Sequence, residues 1–320
     1  PAPVPAPAPV PTTPLASIVA PKVNVSTANV TATADAAGNA TASITEAQMT
    51  AAIEQAKETA KKNDGENQVE IKVAAAANSN KVETQIPQKA IAKMSKSGLD
   101  GLTVSSPIAS VTFDAKALAT IAGSASEDVK ITASKVEAAS LSEEAKKAVG
   151  DHPVFDFSVT IGDKNISAFG GNATLSVPYT AKAGDDLNAI VIYYINGEGK
   201  PELVQNCRYD YEAGRVIFQT NHFSQYAVGL NPISFQDVKD SAWYAEAVCF
   251  LSARGIASGT GDSVFQPNAK LTRGQFMVMV MRAYGISPEE NPSDNFSDAG
   301  NQYYTGYLAA AKALGITKGI

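Results

Sequence analysis

The chain has 320 residues, of which 44% are hydrophobic, and a formal net charge of −6. This length predicts two or three domains, and the hydrophobic content argues against a wholly disordered chain. The sequence has no block of Lys and Arg residues and no run of about 18 apolar residues, so it favours neither nucleic-acid binding nor a membrane-spanning helix.

The two cysteines and two histidines exclude several kinds of site. Cys207 and Cys249 fall in different predicted domains, which excludes a disulfide framework and a cysteine-based zinc site. His152 and His222 match no metal-ligand spacing. The sequence contains no P-loop and no common hydrolase motif. We therefore expect no metal, no cofactor and no enzyme activity, although the 32 acidic residues offer many carboxylate pairs of the glycosidase kind.

Residues 1–20 are rich in Pro and Ala, which indicates a linker that is either an extended tether or a disordered tail. From Val23 to Ile44, apolar and small polar residues alternate on both sides of a turn, which predicts a hairpin. Thr45 and Gln48 then have the spacing of a capping box at the start of a helix.

Short helices and strands alternate in the pattern as far as Gly150 and predict an α+β domain over residues 21–150. From Pro153 onwards, short apolar strands are separated by glycine turns, which predicts a β-sandwich domain over residues 151–231. The sequence leaves a second arrangement open, in which the helices decorate a single sandwich that starts near Val69.

The segment from Thr220 to Leu230 resembles the last hairpin of ZU5 and GAIN-type sandwiches, some of which cleave themselves. The resemblance implies that Ser224 Oγ would attack the Phe223 carbonyl with His222 as general base. The alternative, which we favour, is that His222 and Ser224 lie on one side of a strand and close the sandwich by ordinary packing.

Two segments after Asn231 match each other at a spacing of about 60 residues, which indicates an internal repeat. The first copy spans residues 232–287 and the partial second copy residues 293–320. In the first copy, Thr272 and Gln275 form a second capping-box pattern before an apolar helix. The second copy is only half as long, so we expect the native chain to continue after Ile320.

The run FQDV…WY…GI…GD..F.P…LTR.QF, from Phe235 to Gly285, is similar to the S-layer homology (SLH) family, and the partial copy covers Phe296 to Ile320. The resemblance implies a pseudo-threefold bundle of helical repeats. It also implies binding of a secondary cell-wall polysaccharide, often pyruvylated, in grooves between repeats. We therefore expect an extracellular protein of a bacterial cell wall or S-layer.

By position in the family motif, Arg273 corresponds to the family's key arginine, and Gly261, Asp262 and Trp243 correspond to other groove positions. An arginine fork at a helix start suits a carboxylate-bearing sugar. Three alternatives stay open. Arg273 would pair with a neighbouring acid, Trp243 would be a core residue, and Asp262 would only shape its loop.

The resulting expectation is a multidomain protein, with an α+β and β-sandwich N-terminal region followed by a small all-α SLH region of one full and one partial repeat. Its function would be non-enzymatic attachment to wall polysaccharide, with the β-rich module as a spacer or display domain. The alternatives are an adhesin or carbohydrate-binding module anchored by the repeats, or a self-cleaving module.

Overall fold

The computed structural model describes residues 22–261 and 263–319. The linker expected at residues 1–20 lies outside this range. The strands are β1 (Val23–Thr31), β2 (Thr33–Ala34), β3 (Asn39–Ser43), β4 (Glu66–Ala74), β5 (Lys81–Ile86), β6 (Gly101–Ser105), β7 (Ser110–Asp114), β8 (Val129–Val136), β9 (Val154–Ile161), β10 (Lys164–Asn165), β11 (Ala168–Pro178), β12 (Ile190–Ile195), β13 (Pro201–Val204), β14 (Arg208–Asp210), β15 (Arg215–His222) and β16 (Gln225–Leu230). The helices are α1 (Glu46–Ala60), α2 (Gln88–Ser95), α3 (Ala115–Ser124), α4 (Glu143–Val149), α5 (Ala245–Ala253), α6 (Arg273–Ala283) and α7 (Thr305–Ala313).

All the strands belong to two sheets. One has the order β1-β4-β6-β7-β11-β15-β14, and the other has the order β13-β12-β16-β9-β8-β5-β3-β2, with β10 paired to β9. Alternate residues of the strands point inward; in β9, for example, Phe155, Phe157 and Val159 are buried. These side chains join those of α1, α2 and α3 in one continuous core, and burial of this apolar surface stabilises the whole β region.

The domain boundary expected near Gly150 is wrong, because strands from both sides of this residue pair within the same two sheets. Strand β8 pairs with β9 in the second sheet, and β7 pairs with β11 in the first, so each sheet contains strands from both sides of Gly150. Gly150 has a positive φ of 59° and ends α4. The glycine that suggested the boundary therefore terminates a helix.

The hairpin expected from Val23 to Ile44 is wrong for most of its length. Strand β1 pairs in parallel with β4, and β3 pairs in parallel with β5 in the other sheet. Only the two residues of β2 form an antiparallel pair with β3. Alternation within a strand does not identify the partner strand, and α1 supplies the crossover that parallel pairing needs.

The predicted helix start at Thr45 is confirmed. The Gln48 amide donates to Thr45 Oγ1 over 3.2 Å, and the Thr45 amide donates to Gln48 Oε1 over 2.9 Å. This reciprocal pair satisfies two of the amides that a helix start leaves without partners.

After Leu230 the chain forms α5, α6 and α7, as the helical pattern predicted. Helices α6 and α7 pack on each other through Val278, Met281, Tyr307, Ala310 and Ala311. The fold class is therefore as expected, a β-rich region with helices followed by a small all-α region. Within the described residues, no helix combines the length and apolar character needed to cross a bilayer.

Candidate functional site

The start of α6 carries the residue that the sequence placed at the centre of the site. Thr272 caps the helix, since the Gln275 amide donates to Thr272 Oγ1 and the Thr272 amide donates to Gln275 Oε1. Gln275 thus completes the capping box that the sequence predicted. Arg273 is the first residue of the helix and is exposed. Arg273 thus belongs to the first turn of the helix, where the backbone amides favour an anion.

A tyrosine of the second repeat packs against this helix start. A Cβ atom on Gly274 would lie only 2.8 Å from Tyr304 Cδ1, so the glycine permits a contact that alanine would obstruct. The rings of Tyr303 and Tyr304 meet edge to face with centroids 5.2 Å apart, and Tyr303 is 63% exposed. We use the name inter-repeat cleft for the surface around the contact of Gly274 with Tyr304, which includes the chain neighbours Arg273 and Tyr303.

Sequence reasoning did not name Tyr303 or Tyr304 as site residues, although the repeat alignment contained the necessary information. The alignment matched Tyr303 and Tyr304 to Trp243 and Tyr244 of the first copy. The grooves between repeats that the SLH resemblance implies would have placed Tyr303 and Tyr304 near Arg273. The packing of Gly274 on Tyr304 makes that assignment explicit.

Trp243 itself is 89% exposed and stacks edge to face on Tyr244, with centroids 5.5 Å apart. It is therefore a surface residue and not part of the core. The ion pairs formed between described residues do not include Arg273. Asp262 lies outside the described residues.

The loop that contains Gly261 is fixed by Asp237. The Asp237 carboxylate accepts hydrogen bonds from the amides of Phe265, at 2.8 Å, and Gln266, at 2.7 Å. These bonds hold the pKa of Asp237 below its usual value, and the bond from Phe265 has the largest effect. Gly261 has a φ of 122°, and its carbonyl accepts from the Val264 amide. The loop geometry thus depends on a backbone conformation that favours glycine.

The His222-Phe223-Ser224 tripeptide forms the corner between β15 in one sheet and β16 in the other. Phe223 is buried against Phe113, Phe157 and Phe169. The Ser224 hydroxyl donates to the Ile195 carbonyl over 3.3 Å, away from the Phe223 carbonyl.

His222 Nδ1 lies 3.0 Å from Asn221 Oδ1, and the ring stacks edge to face on Tyr194. Burial lowers the pKa of His222. Because both polar side chains have partners other than each other, these contacts favour the packing interpretation of the corner.

Comparison with known proteins assigns the helical region. Residues 234–277 match the S-layer homology domain. This chain therefore contains an S-layer homology (SLH) domain. The matched residues include Trp243, Gly261 and Arg273, whereas Tyr303 and Tyr304 belong to the second copy.

This chain is similar over part of its length to surface-layer proteins and to enzymes. It is 28% identical over 86 residues to an S-layer protein of Bacillus thuringiensis subsp. finitimus, covering 27% of this chain and 10% of that protein. It is 35% identical over 88 residues to endo-1,4-beta-xylanase A of Thermoanaerobacterium saccharolyticum, covering 27% and 7%. The SLH protein is thus associated with the bacterial cell surface.

A third similarity extends beyond the repeats. The SLH protein is 33% identical over 163 residues to an amylopullulanase of Thermoanaerobacterium thermosulfurigenes, covering 49% of this chain and 9% of that enzyme. A segment of that length cannot fit between residues 232 and 320, so it includes part of the β region. The SLH protein spans a tenth or less of each of these three relatives.

Proposed function

We propose that the repeats hold this protein to the cell wall by binding a carboxylate-bearing secondary polysaccharide in the inter-repeat cleft. Arg273 supplies the charge, with two parallel hydrogen bonds to a ketal carboxylate such as that of a pyruvylated sugar. Tyr303 supplies an exposed ring against a sugar face. The observation that carries the proposal is that Arg273 is exposed at a capped helix start and that the adjacent Gly274 packs on Tyr304 of the next repeat.

The proposed role of the β region is that of a spacer or display module without catalytic activity. The similarity to a segment of an amylopullulanase supports this role, because the match covers only 9% of that enzyme and so associates this type of region with a larger protein. An adhesive face on the β region would require exposed aromatic rings, and two of its tyrosines pack on other tyrosines instead. Tyr194 packs on Tyr226 and Tyr209 packs on Tyr179, whereas Tyr211 is exposed alone at a turn.

Co-sedimentation with purified cell-wall sacculi tests the proposal. The chain should sediment with sacculi that retain their secondary polymer and remain in solution with stripped sacculi. Arg273→Ala should weaken binding about tenfold or more, because a charge-assisted bidentate contact contributes about 1.5–3 kcal/mol. Removing the ketal groups from the polymer by mild acid should have the same effect on the unchanged chain.

Arg208→Ala is the matched control, because Arg208 is also an exposed arginine but lies on β14 of the sandwich, close to Asp210. It should bind as the unchanged chain does. Equal binding of stripped and intact sacculi, or equal loss in both variants, would contradict the proposal.

A further inference from the structure

One arginine is fully buried at the junction between the first repeat and the sandwich. Arg254, the residue that follows α5, has 0% of its surface exposed. Its guanidinium donates to the carbonyls of Cys207 at 2.6 Å, Asn188 at 2.7 Å and Ile190 at 2.9 Å. All three acceptors belong to the β region. A buried charge is tolerated only when its donors find acceptors, and here backbone carbonyls of the β region accept three of the five guanidinium N–H groups.

The guanidinium of Arg254 also contacts its own helix. Arg254 Nη1 also donates to the carbonyl of Phe250, within α5, and the guanidinium lies 3.6 Å from the centre of the Phe250 ring. The adjacent Ala253 is fully buried and belongs to the main hydrophobic core of the sandwich. The end of α5 is therefore packed as an element of that core.

Independent polar contacts surround the arginine. Asn231 Nδ2 donates to the Ala253 carbonyl over 2.6 Å, and Gln205 Nε2 donates to the Gly255 carbonyl over 3.2 Å. On the other helix, a Cβ atom on Gly285 would lie 2.7 Å from Asn206 Nδ2, so the end of α6 also approaches the segment between β13 and β14. Both helices of the first repeat thus contact the same part of the sandwich.

We infer that the sandwich and the first repeat form one rigid body, with Arg254 as the clamp that fixes their relative orientation. Adjacent domains usually move relative to each other unless their interface is large and hydrophobic. Here a directional fork of hydrogen bonds, centred in the core, restricts that motion. The β region would then stand at one fixed angle to the repeat that carries Arg273, whatever ligand the cleft binds.

Nuclear magnetic relaxation of backbone amides in the whole chain measures this directly. Amides of α5 and β12 should report the same rotational correlation time in the unchanged chain. In Arg254→Ala, the α5 amides should report a shorter correlation time while the β12 amides keep theirs, and hydrogen exchange at the end of α5 should accelerate roughly a hundredfold. Arg254→Lys, which keeps the charge but loses the planar fork, should show the same separation.

Arg208→Ala serves again as control and should leave a single correlation time. Different correlation times for α5 and β12 in the unchanged chain would overturn the inference, and so would a single correlation time that persists in Arg254→Ala. If the variant does not fold, hydrogen exchange in the unchanged chain decides. If amides at the end of α5 exchange as slowly as those of β12, the result supports the clamp. If they exchange at least a hundredfold faster than those of β12, the result refutes it.

Discussion

Helices α5 and α7 are the same structure in two different surroundings. Each has nine residues, each follows a tyrosine, Tyr244 or Tyr304, and each ends before a glycine in the left-handed region. The amide two residues after the helix cap donates back to the helix over 2.9 Å in both. The backbone of this unit is therefore encoded locally, by the aromatic residue at its start and the glycine at its end.

Their surroundings diverge at the end of each helix. The residue before the glycine is Arg254 in the first repeat and Leu314 in the second, and Arg254 is buried while Leu314 is 59% exposed. Ile256 is likewise buried, whereas its counterpart Ile316 is exposed. The comparison teaches that the repeat plan fixes the helix, and that a single long polar side chain adapts one copy to a partner that the other copy does not contact.

Exchanging these two residues is the strongest test of the comparison. Arg254→Leu leaves the carbonyls of Cys207, Asn188 and Ile190 without their donor in a buried site, so we expect unfolding to become easier by about 3 kcal/mol. Leu314→Arg changes an exposed site and should shift stability by less than about 0.5 kcal/mol. Urea unfolding of the two variants checks this, and equal shifts would contradict the account.

The neighbouring alanines provide a second matched pair. Ala253 is buried in the sandwich core, so Ala253→Leu overpacks it and should cost about 2 kcal/mol of unfolding free energy. Ala313 occupies the same helix position in the second repeat and is exposed, so Ala313→Leu should be nearly neutral. Thermal unfolding measures both, and a neutral Ala253→Leu would mean that α5 does not belong to the core.

The exposed aromatic residues of the two repeats, Trp243 in the first and Tyr303 in the second, should contribute differently to binding. Tyr303 packs on Tyr304, which contacts the helix start at Gly274, so Tyr303→Ala should weaken binding of wall polymer about tenfold, or about 1.4 kcal/mol. Trp243→Ala should weaken it less, although Trp243 is the larger and more exposed ring. Sedimentation of both variants with sacculi gives the ranking. A greater loss for Trp243 would move the site to the other pair.

The smallest expected effect is a pH dependence of the loop after α5. Because the Asp237 pKa is held below its usual value, the carboxylate stabilises the folded loop above the unfolded pKa of about 4. That stabilisation is lost as the pH falls through the lower folded value. Amide shifts of Phe265 and Gln266 should therefore move at acid pH in the unchanged chain.

Asp237→Asn should remove this acid transition, since the amide side chain has no proton to gain in this range. Asp298→Asn, at the matching position of the second repeat, should leave it in place. Persistence of the transition in Asp237→Asn would assign it to another carboxyl group.

Local features of this fold were predictable from the sequence, and long-range pairing was not. The capping boxes at Thr45 and Thr272 depend on residues three apart, and both are present. The parallel pairing of β1 with β4 depends on α1 as a crossover, and alternation in Val23–Thr31 contains no information about it. The repeat motif identified the SLH region, and the matched residues confirm it.

The site was predictable only in part for a similar reason. A motif names positions within one repeat, so it pointed to Arg273, whereas the proposed cleft lies between repeats and also includes Tyr303 and Tyr304. Arg254 was not anticipated at all, because an arginine near a helix end ordinarily indicates a solvated charge. Its burial results from the carbonyls of Cys207, Asn188 and Ile190, which are distant in sequence.

The most direct test of the central claim is a titration of the isotope-labelled chain with purified, soluble wall polysaccharide, followed residue by residue by nuclear magnetic resonance. The account predicts that the largest shifts cluster at Arg273, Gly274, Tyr303 and Tyr304, with smaller changes at Trp243 and none at the corner of His222 and Ser224. Shifts confined to the β region, with the start of α6 unchanged, would contradict it.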